Sequence, residues 1–462
     1  MNSDAILGLV SGKNFEDESW YNRTNRRRIF RDYPTGHFPL TGFLSLMETE
    51  SCDSYKFGWH EKRMPNPYTL ITGGAAPFSP TGSDTASSSP LSFVAGTVYR
   101  VKVDDANQFL VNQVIYINDL PLSSGLGSLT GVVTTIVSDT KLEFRVIEAL
   151  AAVLNTANNI DSGTAGPGKA RITVIGNAQA EGDRSGSGRF YPPMDAENYT
   201  QIFRNPFEFT ATALKIPAEF SETGVYSEAA EDALRDHMVE MEMAFLFGSK
   251  SVQTVTGIDG RARPKRTTGG LLWYLKQWEM ADSIYRGGTG APAITSEPDD
   301  DKRILRPTGG EYTLSEFDAV VEKAFRVTNT KTFEKIVMCG NGFLGAVNNY
   351  LRNVATLNKD YGVQKVYGND VTTWISPWGT LHFKSHPLFN LRPDLRKDGF
   401  IIDINRLRFR PLNDRDTTLL ENRQDNDTDG RKDEWLTEAG LEVNMPEAHM
   451  YIKGLTSIVP DP

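Results

Sequence analysis

With 462 residues, 39% of them hydrophobic and 10% aromatic, the chain is long enough for about two to four domains with substantial cores. Its 49 Lys and Arg against 59 Asp and Glu leave a net charge of -10, which disfavours a dedicated nucleic-acid binder but leaves room for a local basic patch. Cys52 and Cys339, with no CxxC or zinc-spaced histidine, read as free thiols of a reducing cytoplasm; there is no basic signal-peptide n-region and no run near the ~18 apolar residues of a membrane span.

Residues 1–40 show little periodicity and carry Arg23, Arg26, Arg27, Arg28 and Arg31 in YNRTNRRRIFR, as an extended arm would. That cluster suits contact with nucleic acid or an acidic neighbour, and equally a solvated charge run lying over its own domain. A short helix is expected next, then a strand over 54–59 whose alternation puts Tyr55, Phe57 and Trp59 on one face. The small, polar run ITGGAAPFSPTGSDTASSSP predicts a flexible loop or linker. From 93 to 176 the texture changes to β-branched runs separated by Gly and Asn: TVYRVKV, QVIYIND, GVVTTIV, KLEFRVI and RITVIG. They predict a small all-β module inserted into another fold.

Residues 226–247 form the one long, unambiguous helix, roughly 33 Å in length. Ser227 can cap it, Glu228, Glu231 and Asp232 load its first turn, and Gly248 can supply a left-handed stop. Ala230, Leu234, Met238, Met241 and Phe245 fall on one stripe, with Ala233, Val239, Ala244 and Leu246 as a second apolar edge, so the helix should be covered on two sides. A basic glycine-rich turn leads to a helix from Leu271, and residues 286–310 read as a second mobile loop. Thr313 and Glu316 spell a capping box for a helix with Phe317, Val320, Val321, Ala324 and Phe325 inward. The strand KIVMCG and the helix GFLGAVNNYLRN complete an α/β unit, followed by strands at VTTWI, TLHFKSH and GFIIDI and two more in the tail.

Searching for chemistry returns little. GTAGPGKA at 163–170 matches GxxxxGK, but Ala170 replaces the magnesium-binding hydroxyl and a strand follows where a helix N-terminus is needed. GLGSLTG from Gly125 misses the GxGxxG spacing. DNDTDG from Asp425 starts like a calcium loop but has Leu436 where a bidentate Glu belongs, so a solvated acidic turn is the better reading. His382 and His386 are spaced HxxxH on a predicted strand, a poor zinc arrangement. No catalytic, cofactor-binding or metal-ligating residue is assigned.

The order of parts is more telling. NYTQIF, the long helix ending in AFLFGSKS, RPKRTTGGLLWYL and DEWLTEAGLEVNMPEAHMYIKGL resemble tailed-bacteriophage major capsid proteins of the Hong Kong 97-like fold. VDDANQFLVNQVIYIN and RITVIGNAQAEG resemble an accessory module that some of them carry. The resemblance implies an α+β subunit: an N-terminal arm over 1–40, the start of a peripheral domain and an extended loop over 41–92, an inserted all-β domain over 93–176, the loop's return and a spine helix over 177–270, a mainly axial domain over 271–400, and C-terminal strands returning to the peripheral domain over 401–462. The two sides of the extended loop's base would be 54–59 and 198–209. It further implies a non-enzymatic shell protein, self-assembling as hexamers and pentamers around non-specifically packaged double-stranded DNA in the host cytoplasm. Separate scaffold, portal and decoration proteins are the other implied partners, with no cofactor, metal or membrane. Arg23, Arg26, Arg27, Arg28 and Arg31 would then be a DNA-facing or inter-subunit arm. An encapsulin-like nanocompartment shell of the same fold is the alternative, and a nucleotide-binding enzyme using Lys169 a third reading.

Overall fold

A computed structural model of the chain describes residues 49–62, 68–72, 78–80, 92–122, 125–148, 150, 170–182, 188, 193–215, 225–256, 260–280, 302–327, 333–354, 363–366 and 369–461. The arginine cluster from Arg23 to Arg31, the short helix expected before the first strand, residues 163–169 and residues 286–301 lie outside these.

The run EKIVMC is apolar without alternation because its strand, Glu334–Cys339, is covered on both faces. Ile336 and Met338 point to one hydrophobic cluster, Val337 and Cys339 to another. This strand lies inside a seven-stranded mixed sheet whose order is Ile304–Leu305, Met450–Ile452, Gly399–Ile402, Glu334–Cys339, Gly379–Ser385, Asn369–Ser376, Val363–Val366. Helices Leu314–Arg326 and Asn341–Val354 cover the second face. The capping box at Thr313 and Glu316 is formed, and Phe317, Val320, Val321, Ala324 and Phe325 are buried, as the spacing requires.

The long helix runs Val225–Phe247, so Ser227 lies inside its first turn instead of capping it. Its C-terminal end packs on the first face of the seven-stranded sheet: Phe247 meets the rings of Phe389, Phe400 and Tyr451 at 5.5–6.4 Å. Its flank packs on a second sheet, in which Gly430–Val443 lies between Gln201–Thr210 and Leu407–Pro411 and also pairs with Thr418–Leu420. Phe203 from this sheet meets Phe245 edge-on at 6.1 Å. Each such fully buried ring contributes on the order of 2 kcal/mol. One continuous cluster therefore joins the helix, the helix Leu271–Glu279 and both sheets, and the boundary expected at 270/271 is not a break in the core.

Lys56–Glu61 pairs antiparallel with Met194–Tyr199, and these strands flank in sequence a separate seven-stranded antiparallel sheet. The mixture of helices and sheets expected of a Hong Kong 97-like α+β subunit is present, and the strands differ from the expected spans in two places. The base ribbon ends at Tyr199, because the chain turns at Thr200 and Gln201–Thr210 joins the second sheet. The C-terminal region serves both sheets: Gly430–Val443 pairs beside the long helix, but Met450–Ile452 enters the α/β sheet between Ile304–Leu305 and Gly399–Ile402.

The separate sheet has its own apolar cluster around Phe78, Phe93, Phe109 and Phe144, and none of its strands pairs outside it. Tyr68–Leu70 and Phe78–Pro80 are part of it, so the sheet begins earlier than residue 93 and draws one strand, Phe78–Pro80, from the stretch expected to be a flexible loop. Phe78 packs edge-on against Phe93 at 5.1 Å, which a turn-rich composition does not reveal.

Candidate assembly surface

Five of the 23 residues of the long helix are buried, His237, Met241, Glu242, Phe245 and Leu246, all in its C-terminal half. Of the predicted stripe, Met241 and Phe245 are in the core and Met238 packs half-buried against it. Ala230 and Leu234 are half-buried and outside the hydrophobic clusters. The buried face is thus rotated toward His237 and Glu242, two letters that a hydrophobic pattern assigns to solvent.

Both find partners far away in sequence. His237 Nδ1 lies 2.7 Å from Asn205 Oδ1 and its Nε2 2.7 Å from Thr437 Oγ1, so a neutral ring can donate to one and accept from the other. Burial pushes its pKa below the ordinary histidine value. His386 accepts from the Leu388 amide at Nδ1, leaving Nε2 to donate to Glu242 at 3.1 Å, with neither side chain exposed. Through His237 the helix is keyed to one sheet, and through Glu242 to the end of the other. His386 is spent on this contact and His382 sits beside Thr373 and Glu334, so each member of HxxxH has its own local partners.

The C-terminal end of the helix is clamped by the TTGG turn. Asn198, fully buried, donates to Thr268, the Gly269 carbonyl and the Leu441 carbonyl, and accepts from the Gly269 amide. Gly248 does not have a positive φ. It is required for another reason: a Cβ there would lie 2.3 Å from the Ala244 carbonyl oxygen, and one on Gly270 2.6 Å from the same atom. The sequence signal is the pair of glycines, and its cause is close approach of backbones.

From this clamp projects a two-stranded hairpin, Ser251–Thr256 paired with Ala262–Thr267. Its root is rigid: Thr267 donates to the Ser249 carbonyl at 2.6 Å, and Lys250 donates to Glu197 at 3.0 Å. Beyond the root both strands are exposed, Val252 at 50% and Val255 at 44%, and the chain there is basic, with Arg261, Arg263 and Lys265 in the exposed class. At the opposite end of the Gln201–Thr210/Gly430–Val443 pair lies the exposed turn with Asp425, Asp427 and Asp429. No group of three ligating side chains among the described residues could hold a metal. GLGSLTG lies within the strand Gly125–Ser138, not in a loop before a helix.

The SU10 major capsid protein family matches residues 38–456. Over 367 residues the chain is 23% identical to the major capsid protein of Pseudomonas phage PaMx41, spanning 78% of this chain and 72% of that one. Among solved structures it is similar to the capsid of the native GTA particle (13% identity, 60% of this chain and 80% of that one, TM-score 0.37) and to the cyanophage A-1(L) capsid (11%, 76% and 95%, TM-score 0.36). The holo-SrpI encapsulin complex from Synechococcus elongatus PCC 7942 is also similar (8%, 58% and 77%, TM-score 0.36). With the family match extending from before the base ribbon to beyond the last strand of the α/β sheet, the chain belongs to the SU10 major capsid proteins, the subunits of a phage head shell.

Proposed function

We propose that this shell is closed from rings of five and six copies, encloses double-stranded DNA without sequence preference and has no turnover chemistry. The observation that carries the reading is the unfinished long helix: from Val225 to Asp236 no residue is buried, although Ala229, Ala230, Ala233 and Leu234 lie there. A helix whose alanines and leucine are only half-buried over three turns, with Val225, Glu231 and Asp236 exposed between them, is completed by neighbours. Contacts above about 2,000 Å² per pair are expected for such an obligate assembly. The basic arm from Arg23 to Arg31 supports DNA contact or contact with a neighbouring subunit, and the separate β sheet, tied in at both ends, suits an outer-face position. Assembly in the host cytoplasm with a separate scaffold, a portal and decoration proteins completes the reading.

Electron microscopy of the purified chain, expressed with and without a scaffold, tests it. Rings or shells are expected, and those formed in infected cells should protect DNA from nuclease. A monodisperse monomer at high concentration across salt conditions would overturn the reading. Shells filled with one protein cargo would transfer the chain to the nanocompartment class, and saturable ATP binding would revive Lys169 as a nucleotide ligand.

A further inference from the structure

Between the strand Glu334–Cys339 and the helix Asn341–Val354 the chain spells GNGFLG, the GxGxxG spacing of a dinucleotide loop. The loop's own donors are spent inside the subunit: the Asn341 amide donates to Asn390 Oδ1 and the Phe343 amide to the Arg396 carbonyl. A Cβ on Gly340 would lie 2.3 Å from that carbonyl oxygen, so the glycine serves close approach of residues 392–397 and leaves no cradle for a nucleotide. The approach brings charge to the start of the helix instead.

Residues 392–397, RPDLRK, run through two successive turns, closed by the Leu395 amide on the Arg392 carbonyl at 3.1 Å and by the Asp398 amide on the Leu395 carbonyl at 3.0 Å. Arg392, Arg396 and Lys397 are exposed there, and Lys453, also exposed, follows Ile452, which pairs with Gly399 where the turns end. Two of these cations are held in place without being neutralised: Arg396 Nε donates to the Asn390 carbonyl at 2.7 Å and Lys397 Nζ to Thr456 Oγ1 at 3.1 Å, and both keep further N–H donors. Lys397 also lies against the first turn of the helix, its Cγ 3.3 Å from where a Gly342 Cβ would stand. That turn carries no acidic residue, so the positive end of the helix adds to the same field. The nearby acids do not cancel it. Asp398 is buried and accepts from the Tyr451 hydroxyl and the Gly454 amide, and among the described residues neither Asp394 nor any of the four cations makes an ion pair. In a chain of net charge -10, an island of fixed and unpaired cations suits an anionic partner. We propose that the 392–397 turns, with Lys453 beside them, are a contact for the phosphates of the double-stranded DNA inside the shell. Leu391, exposed where the turns begin, is alone too little apolar surface for the centre of a protein interface, whereas a phosphate backbone needs charge alone.

The inference rests on the reading that the shell encloses DNA but is read out separately, on unassembled full-length subunits. Their affinity for a short duplex is followed by fluorescence anisotropy across salt concentrations, and circular dichroism with thermal melting confirms that each variant is folded. Arg396→Gln with Lys397→Gln should weaken binding by about tenfold at low salt on every duplex sequence, and should flatten the plot of log affinity against log salt by about 2, the loss of two phosphate contacts. The charge-preserving pair Arg396→Lys with Lys397→Arg should stay within about twofold of wild type, since the contact is one of charge. In heads from infected cells Lys397 should resist amine acylation while DNA is inside and react once the heads are emptied. A neutralised variant with wild-type affinity and salt dependence, or a Lys397 equally reactive in full and empty heads, would overturn the contact. So would folded neutralised subunits that keep their DNA affinity but form no shells, since the turns would then face a neighbouring copy. Subunits that show the salt-linked loss while their shells hold no DNA would uphold the phosphate contact and count against the enclosing reading.

Discussion

The interior of the separate β sheet consists of Phe78, Phe93, Tyr99, Phe109, Phe144 and aliphatic side chains, with Thr69, Ser79 and Glu143 the buried polar residues among them. Around the long helix, equal depth holds Asn198, His237, Glu242, His386, Thr437 and Glu442. Apolar packing is non-directional and tolerates repacking, whereas a hydrogen-bonded network is satisfied in one arrangement only. A sheet that has only to fold needs the first kind of core. A helix that fixes two sheets relative to each other, in a subunit that must match its neighbours, gains from the second. Glycines serve both regions alike: a Cβ on Gly440 would meet the Phe57 ring of the base ribbon at 2.6 Å, and one on Gly131 the Phe144 ring of the separate sheet at 2.6 Å.

The largest expected effect tests whether the two cores are independent. Phe144→Ala should cost the β sheet about 3–5 kcal/mol. In calorimetry of unassembled subunits this should appear as a separate transition at lower temperature, with the transition of the remainder in place. A single transition that moves as a whole would mean the cores are coupled. Next in size is a buried charge on the polar side. Lys335 is 1% exposed, donates to the Ala448 carbonyl, and burial pushes its pKa down to about 7. Unfolded lysine titrates near ~10.4, so between these values the unfolded chain holds the extra proton and stability rises with pH. Urea melts should gain about 2–4 kcal/mol from pH 7 to pH 10, a slope that Lys335→Met should flatten. The same profile should decline on the acid side. His237, His382 and His449 are all held below the ordinary histidine value by burial, so the unfolded chain takes up protons first as pH falls below ~6.5.

The smallest expected effect on folding separates the two halves of the helix. Leu234→Asp, judged from the apolar stripe alone, is a folding lesion. Its half-buried position outside the clusters makes the cost to the subunit about 1 kcal/mol or less, with assembly failing instead. Soluble subunits that form no shells are the expected outcome, and insoluble protein would show that the helix is buried along its whole length.

Much of the fold was legible because local rules govern it: the capping box at Thr313, the long helix, and the β-branched runs of the separate sheet all stand where the spacing puts them. What escaped were contacts between distant letters. Nothing near His237 announces Asn205 and Thr437, and nothing near Glu242 announces His386, so the apolar pattern finds Met241, Phe245 and Leu246 of the helix's buried face and misses its two polar members. Phe78 was hidden in a Gly, Ser and Pro-rich stretch because its partner, Phe93, lies beyond that stretch.

The central position of Gly430–Val443 in one sheet and the insertion of Met450–Ile452 in the other have a consequence for synthesis. Neither sheet can close before its completing strand is translated, and that strand follows all of its partners in the chain. A nascent chain that stalls before residue 430 lacks the strand that would support Gln201–Thr210, and one that stalls before residue 450 leaves Ile304–Leu305 without its neighbour. Products truncated before these strands therefore lack the folded surfaces of a subunit, which confines entry into a growing lattice to copies translated past residue 452.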